Sequence, residues 1–204
     1  MSEPVSTRRG LGRILGGIAG AIAIIFTLVV TPADASNWSG ATGGTGCNAV
    51  NQTSNGYVTF YYSSLTSEMT SASDYARANA LDPTDITTSL VAGTAYPDVT
   101  VLDADFSALC GFIWYASPVS PGVVGLATCN SLAGSACYQH SVYFHTPFTN
   151  GTTEANRRAL ASHEFGHTVG LLHRASGITS MTQGYPKASV IFDSHDISHL
   201  NAAY

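Results

Sequence analysis

Apolar and polar positions divide the chain into stretches of different period. Ile14 to Val30 is a nearly unbroken apolar run. Further on come short β-branched and aromatic runs, each a predicted strand: Tyr57–Tyr62, Val99–Leu102, Phe112–Tyr115, Val123–Ala127 and Val142–Phe144. Pro118, Pro121 and Gly122 mark a turn between two of them. The Ala-rich stretch Ser71–Ala80 stops before Asp82-Pro83 and predicts a short helix. Later the period becomes helical. Ala161, Phe165 and Val169 recur every four residues as a buried stripe. Thr152 or Thr153 can cap this helix, Glu154 suits its first turn, and Gly170 can end it in a left-handed conformation. A last helix is expected from His195 to Tyr204, capped by Asp193 or Ser194. Ser36–Gly46, rich in Ser, Gly, Thr and Asn, reads as a loose N-terminal segment. The pattern holds no internal repeat and no second domain.

The early apolar run changes meaning once its flanks are considered. Arg8, Arg9 and Arg13 precede it and Ala33-Asp34-Ala35 follows it. A positive flank, an apolar centre and a small-x-small end describe a signal peptide over residues 1–35, cleaved after Ala35. An uncleaved anchor is the alternative, since seventeen residues lie at the short edge of a membrane span. Thr7-Arg8-Arg9-Gly10-Leu11 resembles a twin-arginine signal, so the export route stays open. Residues 36–204 then form one domain large enough for its own core. That part carries five Lys or Arg against eleven Asp or Glu, which leaves no basic footprint for nucleic acid. It should act outside the cell, as a monomer, without a membrane partner once the signal is gone.

All four cysteines follow the signal. An even number in an exported chain predicts two disulfides. Three pairings are open. The short loop favours Cys129–Cys137, which leaves Cys47–Cys110, though sequence does not settle the choice. No close Cys-x-x-Cys pair offers a cysteine zinc site.

The densest chemistry is His-Glu-Phe-Gly-His-Thr-Val-Gly-Leu-Leu-His, residues 163–173. On a helix His163 and His167 share one face, a turn apart, and can reach one ion. Glu164 sits beside the first ligand, placed to act on water rather than to ligate. Gly170 breaks the helix and lets His173 return as a third ligand. Three protein ligands leave one position open, as a catalytic zinc requires.

This spacing resembles the metzincin metalloproteases. Met181, in Thr179-Ser180-Met181-Thr182, stands where that family has its methionine-containing turn. Tyr185, four residues later, is similar to a tyrosine in the S1′ wall of the matrixins, and Ser194–Tyr204 is similar to their C-terminal helix. The strong likeness covers about Thr152–Tyr204. It implies an α+β catalytic domain: a twisted mixed sheet, two long helices including the active-site helix, the methionine turn and the last helix. It also implies one catalytic zinc per chain on His163, His167 and His173, with Glu164 as general base for a zinc-activated water. Met181 becomes the floor of the site, Tyr185 its S1′ wall. Val123, Val124, Gly125, Leu126 and Ala127 become the edge strand that pairs with a protein or peptide substrate. Asp196 is expected to bond the base of the active-site helix.

Some features depart from the matrixins. Ala35–Cys47 is too short for a prodomain, no calcium or structural-zinc loop is visible, and residue 183 is Gln, so no tyrosine serves as a further ligand. Latency and extra metals are therefore not carried over. The resulting expectation is a secreted zinc endopeptidase. The alternatives are a zinc hydrolase of a non-peptide amide and an exported inactive zinc-binding module, which would have no use for Glu164. His140, His145, His195 and His199 read as packed or solvated, and Asp103 and Asp105 as loop residues. Asn37, Asn51 and Asn150 head glycosylation-type triplets.

Overall fold

A computed structural model describes residues 37–40, 44–47, 49–93 and 96–204. The expected signal peptide lies outside them. The fold is α+β, built on five strands in the order β2-β1-β3-β5-β4. The strands are β1 Tyr57–Ser64, β2 Thr87–Leu90, β3 Val99–Ala104, β4 Gly125–Ala133 and β5 Ala136–His145. The sheet is mixed: β2, β1, β3 and β5 run parallel, and β4 returns antiparallel along β5. The helices are α1 Ser67–Ala76, α2 Thr146–Thr149, α3 Glu154–Thr168 and α4 Ser194–Ala203.

Period-two burial explains how the sheet meets the helices. Val58 and Phe60, Val99 and Val101, and Val142 and Phe144 are all fully buried on one face. Phe165 of α3 lies on that face, 4.8 Å from the Phe60 ring and 6.4 Å from the Phe144 ring. The small side chains Ala72, Ser73 and Ala76 let α1 pack against α3. Helix α1 starts four residues before the Ala-rich run. Thr66 is its cap, and the Asp103 carboxylate accepts from both Thr66 N and Oγ1, at 3.0 and 2.7 Å. The polar residues Ser67, Glu68 and Thr70 conceal that start. Past Ala76 the helix widens into a π-helical turn, Arg77–Leu81.

One expected strand does not form, and one strand was not expected. Phe112–Tyr115 is not a strand: only Trp114 forms a bridge, to Val123, and Ile113 is 79% exposed, so nothing rewards extended pairing there. Residues 87–90 do form a strand, which their composition hides; Thr-Thr-Ser-Leu is polar because β2 is an edge strand. The N-terminal segment is also less loose than its composition implies. Trp38 bridges Leu171, and Ser39 N donates to Gly170 O at 2.9 Å.

Both favoured disulfides form, Cys47–Cys110 and Cys129–Cys137, the second across the β4–β5 hairpin. Such bonds fit an oxidising compartment. Among the described residues no helix is long and apolar enough to cross a membrane.

Candidate metal centre

Helix α3 begins where Thr153 Oγ1 accepts from Asn156 N, with Glu154 in its first turn. Ala161, Phe165 and Val169 are fully buried, which orients the helix and turns His163 and His167 toward the cleft. Gly170 takes φ +96°, and a Cβ there would meet the Trp38 ring at 3.0 Å. The chain turns at this glycine, and the N-terminal segment pairs with the residues leading to His173. Leu172 N donates to Asn37 O.

The three imidazoles converge. His163 Nε2 lies 3.0 Å from His173 Nε2, and His167 Nε2 lies 3.2 Å from each. Each far nitrogen is occupied. His163 Nδ1 bonds Ser180 O and His167 Nδ1 bonds Leu171 O, both at 2.7 Å, while His173 Nδ1 meets the Gln183 amide at 3.1 Å. The carbonyl partners put the proton on Nδ1 of His163 and of His167 and leave their Nε2 atoms as bare lone pairs. Lone pairs this close repel unless a cation lies between them. Nitrogens bound at about 2.0–2.1 Å to a tetrahedral ion would stand about 3.3 Å apart, so the spacing fits one metal ion. Burial and Lys187 lower all three rings, with repulsion between the rings adding at His163 and His167, the latter at about 3, so they stay neutral and able to ligate.

Glu164 is buried beside them, 4% exposed. Burial lifts its carboxyl to about 8, opposed by the Lys187 charge and a backbone hydrogen bond from Ala127. Gly125 makes the approach possible. A Cβ there would stand 2.7 Å from Glu164 Oε1 and 2.8 Å from Leu160 Cδ1.

The histidines and Glu164 line a cleft of about 590 Å³, together with Val123–Ala127 and Tyr185. The edge strand is shorter than expected. Only Gly125, Leu126 and Ala127 of that run belong to β4. Val123 is already engaged, with its N–H on Ile113 O and its carbonyl accepting from Tyr115 N. Val124 O accepts from His145 N, on the β5 side. At the far end Gly46 N donates to Cys129 O. The open edge therefore runs over Gly125–Thr128, apart from the Ala127 N–H, which is turned to Glu164.

Met181 is fully buried against α3, at the point where a Gly166 Cβ would lie 2.4 Å from Met181 Sδ. Tyr185 packs on Phe148 at 5.1 Å, and its buried hydroxyl has no hydrogen-bond partner among the described residues. Burial, with the Glu164 charge, pushes that phenol well above its usual range.

Asp196 does not bond the base of α3. It is fully buried and accepts from Asn37 Nδ2 at 2.8 Å and from Thr179 Oγ1. Thr179 Oγ1 in turn accepts from Met181 N, so α4 braces the methionine turn rather than the helix. His140 and His145 are packed: one bonds Asn51 O, the other Phe106 N and Tyr115 O. Asp103 caps α1.

Sequence reasoning missed Lys187, the contact of Gln183 with His173 and the role of Gly125. Lys187 lines the cleft, and burial lowers it to about 8. Its one available signal was being the chain's single lysine.

No family model matches the chain, and no curated protein matches it. The functional reading therefore rests on the site itself.

Proposed function

We propose that the protein is a secreted zinc-dependent endopeptidase of the metzincin type, similar to the matrixins. The observation that carries this is the convergence of three Nε2 atoms within 3.2 Å, with one buried carboxyl group beside them. His163, His167 and His173 would hold the ion, and an all-imidazole set suits zinc. When bound, the ion supplies Lewis acidity, lowering the pKa of water and polarising a carbonyl. Glu164 takes the proton from the attacking water and hands it to the leaving amine. The open edge at Gly125–Thr128 favours a peptide over a non-peptide amide. An extended backbone can pair there and lie along the cleft beside Glu164. Tyr185 walls the pocket for the residue after the cut, and Met181 supports the helix from below.

The test combines metal analysis with cleavage of a broad peptide library, for wild type and for Glu164→Ala. We expect one zinc per chain in both proteins, with cleavage by wild type reduced at least ~100-fold in the variant. A zinc-loaded wild type that cuts no peptide bond overturns the peptidase. An equally active Glu164→Ala overturns the assigned base.

A further inference from the structure

We propose that Lys187 selects substrates with an acidic side chain next to the bond that is cut. This rests on the peptidase reading of the cleft. Lys187 is the single Lys or Arg among the residues that line it. Its Nζ donates to Thr182 O, lies 4.9 Å over the Tyr185 ring and stands 3.1 Å from His163 Nδ1. That imidazole nitrogen already bonds Ser180 O, so it is a neighbour of the ammonium rather than its acceptor. None of these three groups is an anion. Among the described residues no carboxylate comes within salt-bridge distance of Lys187.

A half-buried ammonium that feels the Glu164 carboxyl only from beyond salt-bridge distance has lost hydration without gaining an ion pair. A ligand carboxylate supplies one; the isosteric amide of Asn or Gln does not. Position narrows which residue carries it. Lys187 sits between Tyr185 and His163, and His163 belongs to the metal cluster. A side chain that reaches Nζ therefore belongs to a residue flanking the scissile bond. The rest of the lining offers no second Lys or Arg: Val123, Val124 and Leu126 are apolar, and Glu164 brings a carboxyl of its own.

The experiment uses the zinc-loaded full chain and peptides that differ only as Glu, Gln, Asp or Asn at the residue flanking the cut. Wild type should prefer the acids at least ~10-fold in kcat/KM, the scale of a charge-assisted hydrogen bond. Lys187→Met should remove that ratio, Lys187→Arg should keep it, and Lys187→Glu should reverse it in favour of Gln and Asn. A second readout needs no turnover: in a Glu164→Gln background, anisotropy of labelled Glu and Gln peptides should show the same ratio, lost with Lys187→Met. If Lys187→Met weakens all four peptides equally, the lysine only props the Thr182 carbonyl and the proposal is overturned. The same holds if wild type shows no preference. If wild type retains zinc but cuts nothing, the peptidase reading fails, while the binding ratio still decides the role of Lys187.

Discussion

His140 should make folding stability depend on pH between neutrality and about pH 4. Its ring is 2% exposed in β5, with Nε2 3.1 Å from Asn51 O. Burial lowers its pKa from 6.5 to about 4, partly opposed by backbone hydrogen bonds at Asn51 and Asp98 and by the Asp98 charge. The unfolded chain takes a proton near pH 6.5 that the folded chain refuses until about pH 4. Stability from the neutral ring is therefore complete above pH 6.5 and is lost as pH falls toward 4. The gap between the two pKa values corresponds to about 3 kcal/mol.

The perturbation is His140→Leu, followed by urea unfolding with disulfides intact at several pH values from 4 to 7. The variant loses the bond to Asn51 O, a roughly constant cost of about 1–3 kcal/mol across the range. It also loses the titration. Its deficit against wild type should therefore shrink by about 3 kcal/mol as pH falls, and its curve should meet or cross that of wild type near pH 4. The other six histidines contribute equally to both proteins and cancel in the difference. Parallel curves, with a constant deficit from pH 7 to pH 4, would refute the argument.

Gly166→Ala should lower thermal stability. Its Cβ would fall 2.4 Å from Met181 Sδ and 3.1 Å from Phe192, and overpacking of that kind costs about 1–3 kcal/mol, roughly 2–10 °C in Tm; a wild-type melting curve would contradict the packing described. Mild reduction of the folded chain followed by alkylation and mass spectrometry should label Cys47 and Cys110 first, because Cys129 and Cys137 are 0% and 1% exposed. Equal labelling of both pairs would count against that order. Chelation should lower Tm and zinc should restore it, by about 4 kcal/mol at a free concentration a thousandfold above Kd. His173→Ala should abolish most of that response, and a variant that still answers fully to zinc would remove His173 from the ligand set.

The site was legible in the sequence because its chemistry is local. His163, Glu164, His167, Gly170 and His173 lie within one helix and its turn, so spacing and helical period suffice to bring them together. Strands buried on one face, β1, β3 and β5, were legible for the same reason: alternation is a local signal. What failed were features set by partners distant in the chain. β2 is polar and exists because β1 offers an edge. The start of α1 depends on Asp103, thirty-seven residues away. The order of Asn37–Gly40 depends on the turn at Gly170–Leu172. Asn37 and Asn51 are buried, so two of the three glycosylation-type triplets cannot carry a glycan in the folded chain, which no triplet reveals.

The glycines carry the deeper reason. A motif displays the groups that react, whereas assembling them also requires room. Glu164 can sit beside the edge strand only because residue 125 has no side chain, and Met181 can reach α3 only because residue 166 has none. Neither glycine takes a left-handed φ, so the backbone imposes no need for it; the close approach does. Gly170 combines both demands, since its φ is +96° and Trp38 fills the space that a Cβ would take. The same contact ties the N-terminal segment to the turn that delivers His173. Asn37 extends that tie by bonding both Leu172 and Asp196, so the loop of the third histidine is held by α4 and by the start of the described chain at once. The third candidate ligand therefore depends on folding of the whole unit, whereas α3 alone sets the spacing of His163 and His167. A chain that has lost its N-terminal segment should keep two histidines in register and lose the third, and with it most of its affinity for metal.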